Sequence, residues 1–535
     1  MNLMQGMQRV LSEWTFLSSQ ERTDPFNEVE LDAHFSGPGG EWRVPAFWGG
    51  GREWRVRFAP PVPGEYAFRT ACSDESDAGL HGLEGRLVAK PYSGSNPLLG
   101  RGPLRVSANR RFLEHEDGTP FLWLGDTWWC GLTRRLRWPD GFQTLAADRV
   151  AKGFTVVQFC AGLFPEIDDF TQQGANEAGL AYEEGYRRIN PAFYDMADLR
   201  VAHLVRCGLV PCVLGCWGYH VLKMGEERML RHWRNLVARW GAWPVVWCLA
   251  GEGAMPWYLP NKKENEGHTP LQQAAWARVG RYVQETDPYD RLLTIHPRRF
   301  GRDEVEDDSV LDFEMLQTGH SYWNSAGPTV EAVRKARERT PTMPVVNGEV
   351  TYEAHQERNW SDIQRFMFWT CMLGGAAGIT YGAGGMWQMN DREESMGASV
   401  HHPPYELTTW DEAMNLPGSA QMGLGAKFLA RYPWWRFEPH PEWTDRPATP
   451  ENYLANYAAG IPRKVRFVFL PVRSYNWNGP LLRHMEPGTR YRALYFDPVT
   501  GQEHPLGDAE GNAEGEWQAP KVLIGHDWVL VMERK

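Results

Sequence analysis

The feature that most constrains the fold is a series of eight short apolar segments between residues 121 and 384. Segments that are apolar throughout indicate strands buried on both faces, which is the environment of a parallel strand covered by helices. Patterns typical of amphipathic helices lie between the segments. The predicted strands are residues 121–126, 154–159, 209–217, 244–252, 292–297, 311–318, 343–349 and 378–384.

The predicted helices begin and end at recognisable capping residues. In residues 190–208, Asn190 occupies the N-cap position, Pro191 the first helical position and Gly208 the C-cap. Eight parallel strands that alternate with helices predict a (β/α)8 TIM barrel, since each parallel strand needs a crossover helix. An open doubly wound sheet is the alternative architecture, but no glycine-rich phosphate-binding loop follows any predicted strand.

Two regions of different character flank the predicted barrel. Before residue 95 and after residue 433 the sequence consists of short alternating strands separated by Gly and Pro turns, which is typical of antiparallel sandwiches. The sequence therefore predicts an α/β protein with three domains. They are an immunoglobulin-like N-terminal β-sandwich (residues 1–95), the catalytic barrel (residues 96–433) and a C-terminal β-sandwich (residues 434–535).

Composition narrows the choice of partners and of compartment. The 56 basic and 67 acidic residues give a formal charge of -11, so nucleic acid and anionic membranes are poor partners. We find no secretory signal and no membrane-spanning segment, and we expect a cytoplasmic protein with reduced cysteines. Cys207, Cys212 and Cys216 lack the further ligands of a zinc site. A homo-oligomer stays open, because either sandwich could pack on another subunit.

The ends of the predicted strands are unusually polar. The active site of a TIM barrel lies at the C-terminal ends of its strands, so these side chains are the candidate site residues. They are Asp126, Trp128, Gln158, Trp217, Tyr219, His220, Glu252, His296, Gln317, His320, Tyr322, Glu349, Tyr381 and Trp387.

Two of these side chains, Glu252 and Glu349, each follow a glycine at the end of an apolar strand. Burial of an unpaired carboxylate costs several kcal/mol, so each needs a partner or a use. Two carboxylates in a cleft with aromatic and amide side chains are the equipment for glycoside hydrolysis, which needs no metal or cofactor. The other twelve residues are then the predicted substrate-binding set.

Two other functions remain as alternatives. A metal-dependent barrel hydrolase could hold a divalent metal with Asp126, Glu252, His296 and Glu349. A carbohydrate-binding protein without catalytic activity could use the same aromatic side chains, and the 26 tryptophans of the chain favour sugar stacking in either case.

Several motifs resemble those of a known family. The motifs "FLWLGDTWW", "TIHPR", "PVVNGEVTYE" and "GITYGAGGMWQMN" are similar to the apiosidase-like glycoside hydrolases, of the glycoside hydrolase family 140 type. "WCLAGE" and "VVNGE" resemble the catalytic positions on strands 4 and 7 of clan A enzymes. The resemblance implies Glu252 as general acid/base and Glu349 as nucleophile, with Asp126, His296, Tyr381 and Trp387 shaping the substrate site.

Together these observations predict a retaining exo-β-glycosidase. We expect its substrate to be a plant- or microbe-derived oligosaccharide or glycoside, with a furanoside such as apiose as one candidate.

Overall fold

The computed structural model describes residues 2–255, 266–357, 360–398, 407–474 and 478–535. These residues form a central barrel with a β domain on either side of it in the sequence. One continuous hydrophobic core runs through the N-terminal domain and the barrel into the C-terminal domain, which also has a smaller core of its own. The predicted α/β fold, a TIM barrel flanked by two β domains, is confirmed.

The N-terminal domain contains two facing sheets. Their order is β1-β8-β7-β3-β4 in one sheet and β2-β6-β5 in the other. The strands are β1 (Asn2–Met7), β2 (Ser12–Leu17), β3 (Leu31–Gly37), β4 (Gly40–Pro45), β5 (Phe47–Gly50), β6 (Glu53–Phe58), β7 (Gly64–Cys72) and β8 (Glu84–Lys90), and a short helix α1 (Pro25–Glu28) precedes β3.

Aromatic side chains fill the space between these two sheets. Phe35 stacks on Phe58 with ring centroids 4.1 Å apart, and Trp14 packs edge-on against Phe68. One detail of the predicted sandwich is wrong, because β1 pairs with β8 in parallel. The pairing joins strands about eighty residues apart, and local alternation carries no information about its direction.

A small sheet joins this domain to the barrel. Helix α2 (Pro97–Gly100) is followed by the three antiparallel strands β9 (Leu104–Val106), β10 (Leu113–His115) and β11 (Pro120–Phe121).

The barrel contains eight parallel strands, and every neighbouring pair recorded within the sheet is parallel. Between the fifth and sixth strands, the backbone N–H of Asp312 donates to the carbonyl of Leu293 (2.8 Å), which closes the barrel. The strands are β12 (Trp123–Thr127), β13 (Val156–Cys160), β14 (Val210–Leu214), β15 (Val246–Cys248), β16 (Leu293–Thr294), β17 (Glu314–Gln317), β18 (Val345–Glu349) and β19 (Gly378–Tyr381).

Helices alternate with the barrel strands, except that only two short 3-10 helices, Gly301–Asp303 and Asp308–Val310, lie between β16 and β17. In α4 the side chain of Asn190 accepts a hydrogen bond from the backbone of Ala192 (3.2 Å), and Gly208 follows the helix with φ +79°. The helices are α3 (Asp140–Lys152), α4 (Pro191–Arg206), α5 (His220–Met224), α6 (Glu226–Trp240), α7 (Thr269–Thr286), α8 (Ala326–Glu338), α9 (Ser361–Leu373), α10 (Trp410–Ala413) and α11 (Pro417–Leu429).

The C-terminal domain has a six-stranded sheet of order β20-β21-β22-β27-β24-β25 and a two-stranded sheet of β23 and β26. The strands are β20 (Glu438–Pro439), β21 (Tyr457–Ile461), β22 (Val465–Leu470), β23 (Leu481–Leu482), β24 (Tyr491–Phe496), β25 (Glu503–Ala509), β26 (Trp517–Gln518) and β27 (Trp528–Arg534).

Buried ion pairs fasten both β domains to the barrel. Arg57 of β6 donates to Asp198 of α4 (2.6 Å), and Arg365 of α9 donates to Asp527 of the C-terminal domain (2.7 Å). All eight cysteines are free thiols, and seven of them are buried. Within the described ranges, no helix combines the length and apolar character that a bilayer crossing requires.

Candidate active site

The end of strand β18 places the carboxylate of Glu349 among hydrogen-bond donors. Its Oε1 accepts hydrogen bonds from Nε2 of Gln317 (2.9 Å) and Nε2 of His320 (2.7 Å), and its Oε2 accepts one from the hydroxyl of Tyr352 (2.6 Å). Nε2 of His296 lies 3.3 Å from Oε2. A buried carboxylate with this many donors is stabilised in its charged form.

The electrostatic balance at Glu349 therefore favours ionisation. Burial alone would raise its pKa, but the interactions with His296 and His320 outweigh burial and hold the pKa of Glu349 well below its usual range. The backbone N–H of Tyr352 donates to Nδ1 of His320 (3.3 Å), so in the neutral imidazole the proton is on Nε2, the atom that faces Glu349.

Glu252 follows strand β15 and has the opposite character. It has a left-handed backbone conformation with φ +49° and a buried side chain. Burial and the nearby charge of Glu349 raise the pKa of Glu252 to about 8, against the opposing effect of a hydrogen bond from Gln317. At neutral pH this carboxyl group therefore holds a proton.

Close backbone packing positions the turn that carries Glu252. A Cβ atom at Gly251 would lie 2.2 Å from the ring of Trp217, so only glycine allows this ring to pack there. The backbone N–H of Gly218 donates to the carbonyl of Gly251 (2.7 Å), and Glu304 accepts a hydrogen bond from the backbone of Ala254 (2.5 Å). These contacts hold the backbone before and after Glu252.

Gln317 links the two carboxyl groups. Its Nε2 donates to Oε1 of Glu252 (3.1 Å) as well as to Oε1 of Glu349. Because both oxygens bind one nitrogen, they lie at most about 6 Å apart. A protonated and an ionised carboxyl group at this separation can donate a proton and attack as a nucleophile within one substrate.

Both carboxyl groups face a cavity of about 160 Å³. The indole of Trp129 packs edge-on against Trp217 with ring centroids 5.6 Å apart, so aromatic surfaces form part of the wall. The described lining residues are Trp129, Pro165, Glu166, Trp217, Glu252, Gln317, His320, Glu349, Tyr352, His355 and Trp387.

Comparison with known families assigns this barrel. Residues 107–436, more than half of the chain, match the profile of the "Apiosidase-like, catalytic domain" family. The chain belongs to the apiosidase-like family. It is a glycosidase, and its substrate is a carbohydrate. Residues 10–73 match a domain of unknown function, DUF5060.

Solved structures with the same fold are also glycoside hydrolases by name. A putative glycoside hydrolase from Bacteroides vulgatus ATCC 8482 matches with a TM-score of 0.70 and 17% identity, covering 99% of this chain and 100% of its own. A family 5 glycoside hydrolase from the same strain matches with a TM-score of 0.66 and 21% identity, covering 82% of this chain and 94% of its own. At these identities the similarity establishes the fold. Among curated protein sequences, none matches this chain.

Six of the predicted residues of this apiosidase-like glycosidase line the cavity. A seventh, His296, lies beside them, with the centroid of its ring 5.1 Å from that of Trp129 and its Nε2 3.3 Å from Oε2 of Glu349. The six are Trp217, Glu252, Gln317, His320, Glu349 and Trp387.

Asp126 and Trp128 lie outside the cavity wall. The buried carboxylate of Asp126 accepts hydrogen bonds from Nε of Arg149 (2.5 Å) and from Nε1 of Trp128 (2.7 Å). Arg149 belongs to α3, so Asp126 faces the helical layer rather than the barrel axis. The structure therefore gives Asp126 an ion pair within the protein and places no part of it on the cavity wall.

Gln158 and Tyr381 also make internal contacts. The amide of Gln158 donates to the carbonyl of Gly348 (3.0 Å), and the hydroxyl of Tyr381 donates to Oε2 of Glu353 (2.6 Å). Both side chains are fully buried, and neither lines the cavity.

Tyr219, His220 and Tyr322 fasten loops beside the cavity. The hydroxyl of Tyr219 donates to the carbonyl of Phe164 (3.3 Å), and Nε2 of His220 lies 3.2 Å from Asp169. The hydroxyl of Tyr322 donates to the carboxylate of Asp362 at 3.1 Å.

Five lining residues, one of them Pro165, fell outside the predicted set. Trp129 is adjacent to the predicted Trp128, and Tyr352 stands three residues after Glu349 within the "NGEVTYE" motif, so proximity to a strand end was the available signal. Glu166 and His355 lie further along loops, where no periodic pattern indicates which side chain turns inward.

The four residues of the metal alternative do not converge on one point. The carboxylate of Asp126 pairs with Arg149 and lies outside the cavity wall, whereas Glu252 and Glu349 line the cavity and His296 contacts Glu349. In the part of the chain that the structure describes, no group of three or more His, Cys, Asp or Glu side chains is arranged to hold a metal ion.

Proposed function

We propose that this glycosidase is a retaining, exo-acting β-glycosidase in which Glu349 is the nucleophile and Glu252 the general acid/base. Glu349 attacks the anomeric carbon while Glu252 donates its proton to the departing glycosidic oxygen. Water then hydrolyses the glycosyl-enzyme ester. The observation that carries this proposal is the shared hydrogen bonding of both carboxyl groups to Nε2 of Gln317.

The separation of the carboxyl groups supports retention. Retaining enzymes hold the two groups about 5 to 5.5 Å apart, whereas inverting enzymes need about 6.5 to 9.5 Å to admit a water molecule. Gln317 holds the two facing oxygens at most about 6 Å apart, which favours the shorter separation of a retaining enzyme.

The ionisation states support the assignment of the two roles. A nucleophile must be ionised, as Glu349 is, and a general acid must be protonated, as Glu252 is at neutral pH. Formation of the glycosyl ester removes the charge of Glu349, which is one cause of the raised pKa of Glu252. The pKa of Glu252 then falls, so in the second step it can accept a proton from the attacking water.

The size of the cavity supports exo action. Sites that enclose drug-sized ligands measure about 300 to 1,000 Å³, so a cavity of about 160 Å³ suits one terminal sugar ring better than several. Membership of the apiosidase-like family makes apiose, a branched furanose, the first sugar to test. The proposed substrate is a plant- or microbe-derived oligosaccharide or glycoside with such a sugar at its end.

Variants at position 349 test the proposal. The wild type and Glu349→Ala would be assayed on the 4-nitrophenyl β-D-apioside, xyloside, glucoside and galactoside. We expect the variant to lose turnover because no nucleophile remains. Added azide should restore release of nitrophenol and yield the α-glycosyl azide, since azide enters from the side that the carboxylate has vacated.

A matched control separates chemistry from folding. Glu285 is an exposed carboxylate on α7, far along the sequence from both strand ends, and Glu285→Gln should keep wild-type kinetics. Wild-type turnover by Glu349→Ala on the best substrate would contradict the nucleophile assignment. Sugar binding by calorimetry without turnover of any glycoside by the wild type would instead indicate a carbohydrate-binding protein.

A further inference from the structure

The loop after strand β13, residues 163–169, is fixed at two points to the end of the next strand. The carbonyl of Phe164 accepts a hydrogen bond from the hydroxyl of Tyr219 (3.3 Å), and Asp169 lies 3.2 Å from Nε2 of His220. The backbone between these two anchors is therefore held in place, and it passes along the cavity wall.

Glu166 lies between the anchors in a strained conformation. Its φ of +56° is in the left-handed region, which costs free energy for every residue except glycine and is tolerated best by Asn. Its neighbours Pro165 and Ile167 are buried, which holds the backbone in this conformation. The strain brings the Glu166 side chain to the wall of the catalytic cavity.

Two carboxylates, those of Glu166 and Glu349, line the cavity together with the protonated carboxyl group of Glu252. An anionic group on the sugar would approach these two carboxylates, whereas a sugar hydroxyl is a donor that a carboxylate accepts.

We propose that Glu166 is a specificity-determining residue that accepts hydrogen bonds from hydroxyl groups of the sugar in the catalytic cavity. The substrate is then a neutral sugar and not a uronic acid or a sulfated or phosphorylated sugar. This inference rests on the glycosidase mechanism proposed above, and it narrows the substrate class of that site.

Glu166 also acts on the general acid. Burial is the main cause that raises the pKa of Glu252, and the charges of Glu349, Glu304 and Glu166 add to it in that order. The histidine that hydrogen-bonds to Glu349, His320, lines the same cavity and is unchanged when Glu166 is replaced. A neutral side chain at position 166 should therefore lower the pKa of Glu252, and activity should be lost at a lower pH as the pH rises.

The Glu166→Gln variant tests the inference in the full-length protein. The wild type would first be assayed on the four neutral nitrophenyl glycosides named above and on the 4-nitrophenyl β-D-glucuronide and galacturonide. We expect the best neutral glycoside to exceed both uronides by about tenfold or more, which is the effect of one charged hydrogen bond. Glu166→Gln should lower kcat/KM for that neutral glycoside by about tenfold and so reduce the ratio of this kcat/KM to that for the uronides. The alkaline limb of its pH–rate profile should shift to lower pH.

Two further variants separate recognition from folding. Glu166→Asn suits the left-handed backbone, so its melting temperature should stay or rise while kcat/KM falls. Asp168→Asn, an exposed change in the same loop outside the cavity, should leave rate and pH profile unchanged.

Three results would overturn the inference. They are uronides hydrolysed as fast as neutral glycosides, wild-type kinetics for Glu166→Gln, and lost activity that merely follows a lower melting temperature in both variants at position 166. Glu349→Ala distinguishes the two proposals. If Glu349→Ala is inactive while Glu166→Gln has wild-type kinetics, the proposed mechanism stands and only the role of Glu166 is refuted.

Discussion

Replacement of Asp126 by Ala should destabilise the barrel and leave substrate binding nearly unchanged. Asp126 and Arg149 are both fully buried, and their ion pair joins strand β12 to helix α3. Removal of one partner of a buried pair costs about 3 to 5 kcal/mol, because the remaining charge loses its buried counter-charge. Arg149 then keeps only Asp148, whose side chain is partly exposed. The indole N–H of Trp128 also loses its acceptor.

This cost converts into a measurable temperature shift. A unit of about 330 residues, the length of the matched catalytic domain, has an unfolding entropy of about 0.7 kcal/mol/K at about 2.1 cal/mol/K per residue. The melting temperature of Asp126→Ala should therefore fall by about 4 to 7 °C. Differential scanning calorimetry measures the shift, and steady-state kinetics well below the transition should give KM within about threefold of wild type, since Asp126 is not on the cavity wall.

Asp148 provides the matched control. It pairs with the same guanidinium group at 2.5 Å, but its side chain reaches solvent, so Asp148→Ala should cost about 1 kcal/mol or less. An unchanged melting temperature for Asp126→Ala together with a tenfold rise in KM would refute this reasoning and would place Asp126 in contact with substrate.

Three further predictions concern the chemistry. The kcat/KM of the wild type should fall as the pH rises through about 8, because Glu252 must hold its proton; a flat profile to pH 10 would contradict its role as the acid. Glu252→Ala should lower kcat/KM by about 10²- to 10⁴-fold for alkyl glycosides, but far less for the 2,4-dinitrophenyl glycoside, because its leaving group needs no proton. An equal decrease in kcat/KM for both substrates would count against the assignment. Prolonged dialysis against EDTA should leave activity unchanged; a loss that zinc restores would favour the metal-dependent alternative.

The sequence was informative where a pattern persists over a whole element. Eight apolar runs, most of them separated by helical patterns, predicted the barrel, because strands buried on both faces are typical of a parallel sheet covered by helices. The carboxylates at the ends of two such runs were recognisable for the same reason, and the structure brings Glu252 and Glu349 to one cavity.

The inward or outward direction of single side chains could not be predicted. Successive residues of a strand point to opposite faces, and a strand without polar alternation does not indicate which of them faces the barrel axis. Asp126 consequently faces α3, and Tyr381 reaches Glu353. Tyr352 and Glu166 lie in loops, whose paths depend on long-range contacts such as the anchor at Tyr219.

The anomer formed first by the wild-type enzyme tests the central claim most directly. Proton NMR spectra recorded during the first minutes of hydrolysis of the best β-glycoside distinguish the two anomers before mutarotation mixes them. If Glu349 attacks and Glu252 protonates and then activates water, the β-anomer appears first. If the α-anomer appears first, the reaction inverts, and Glu349 is not a nucleophile.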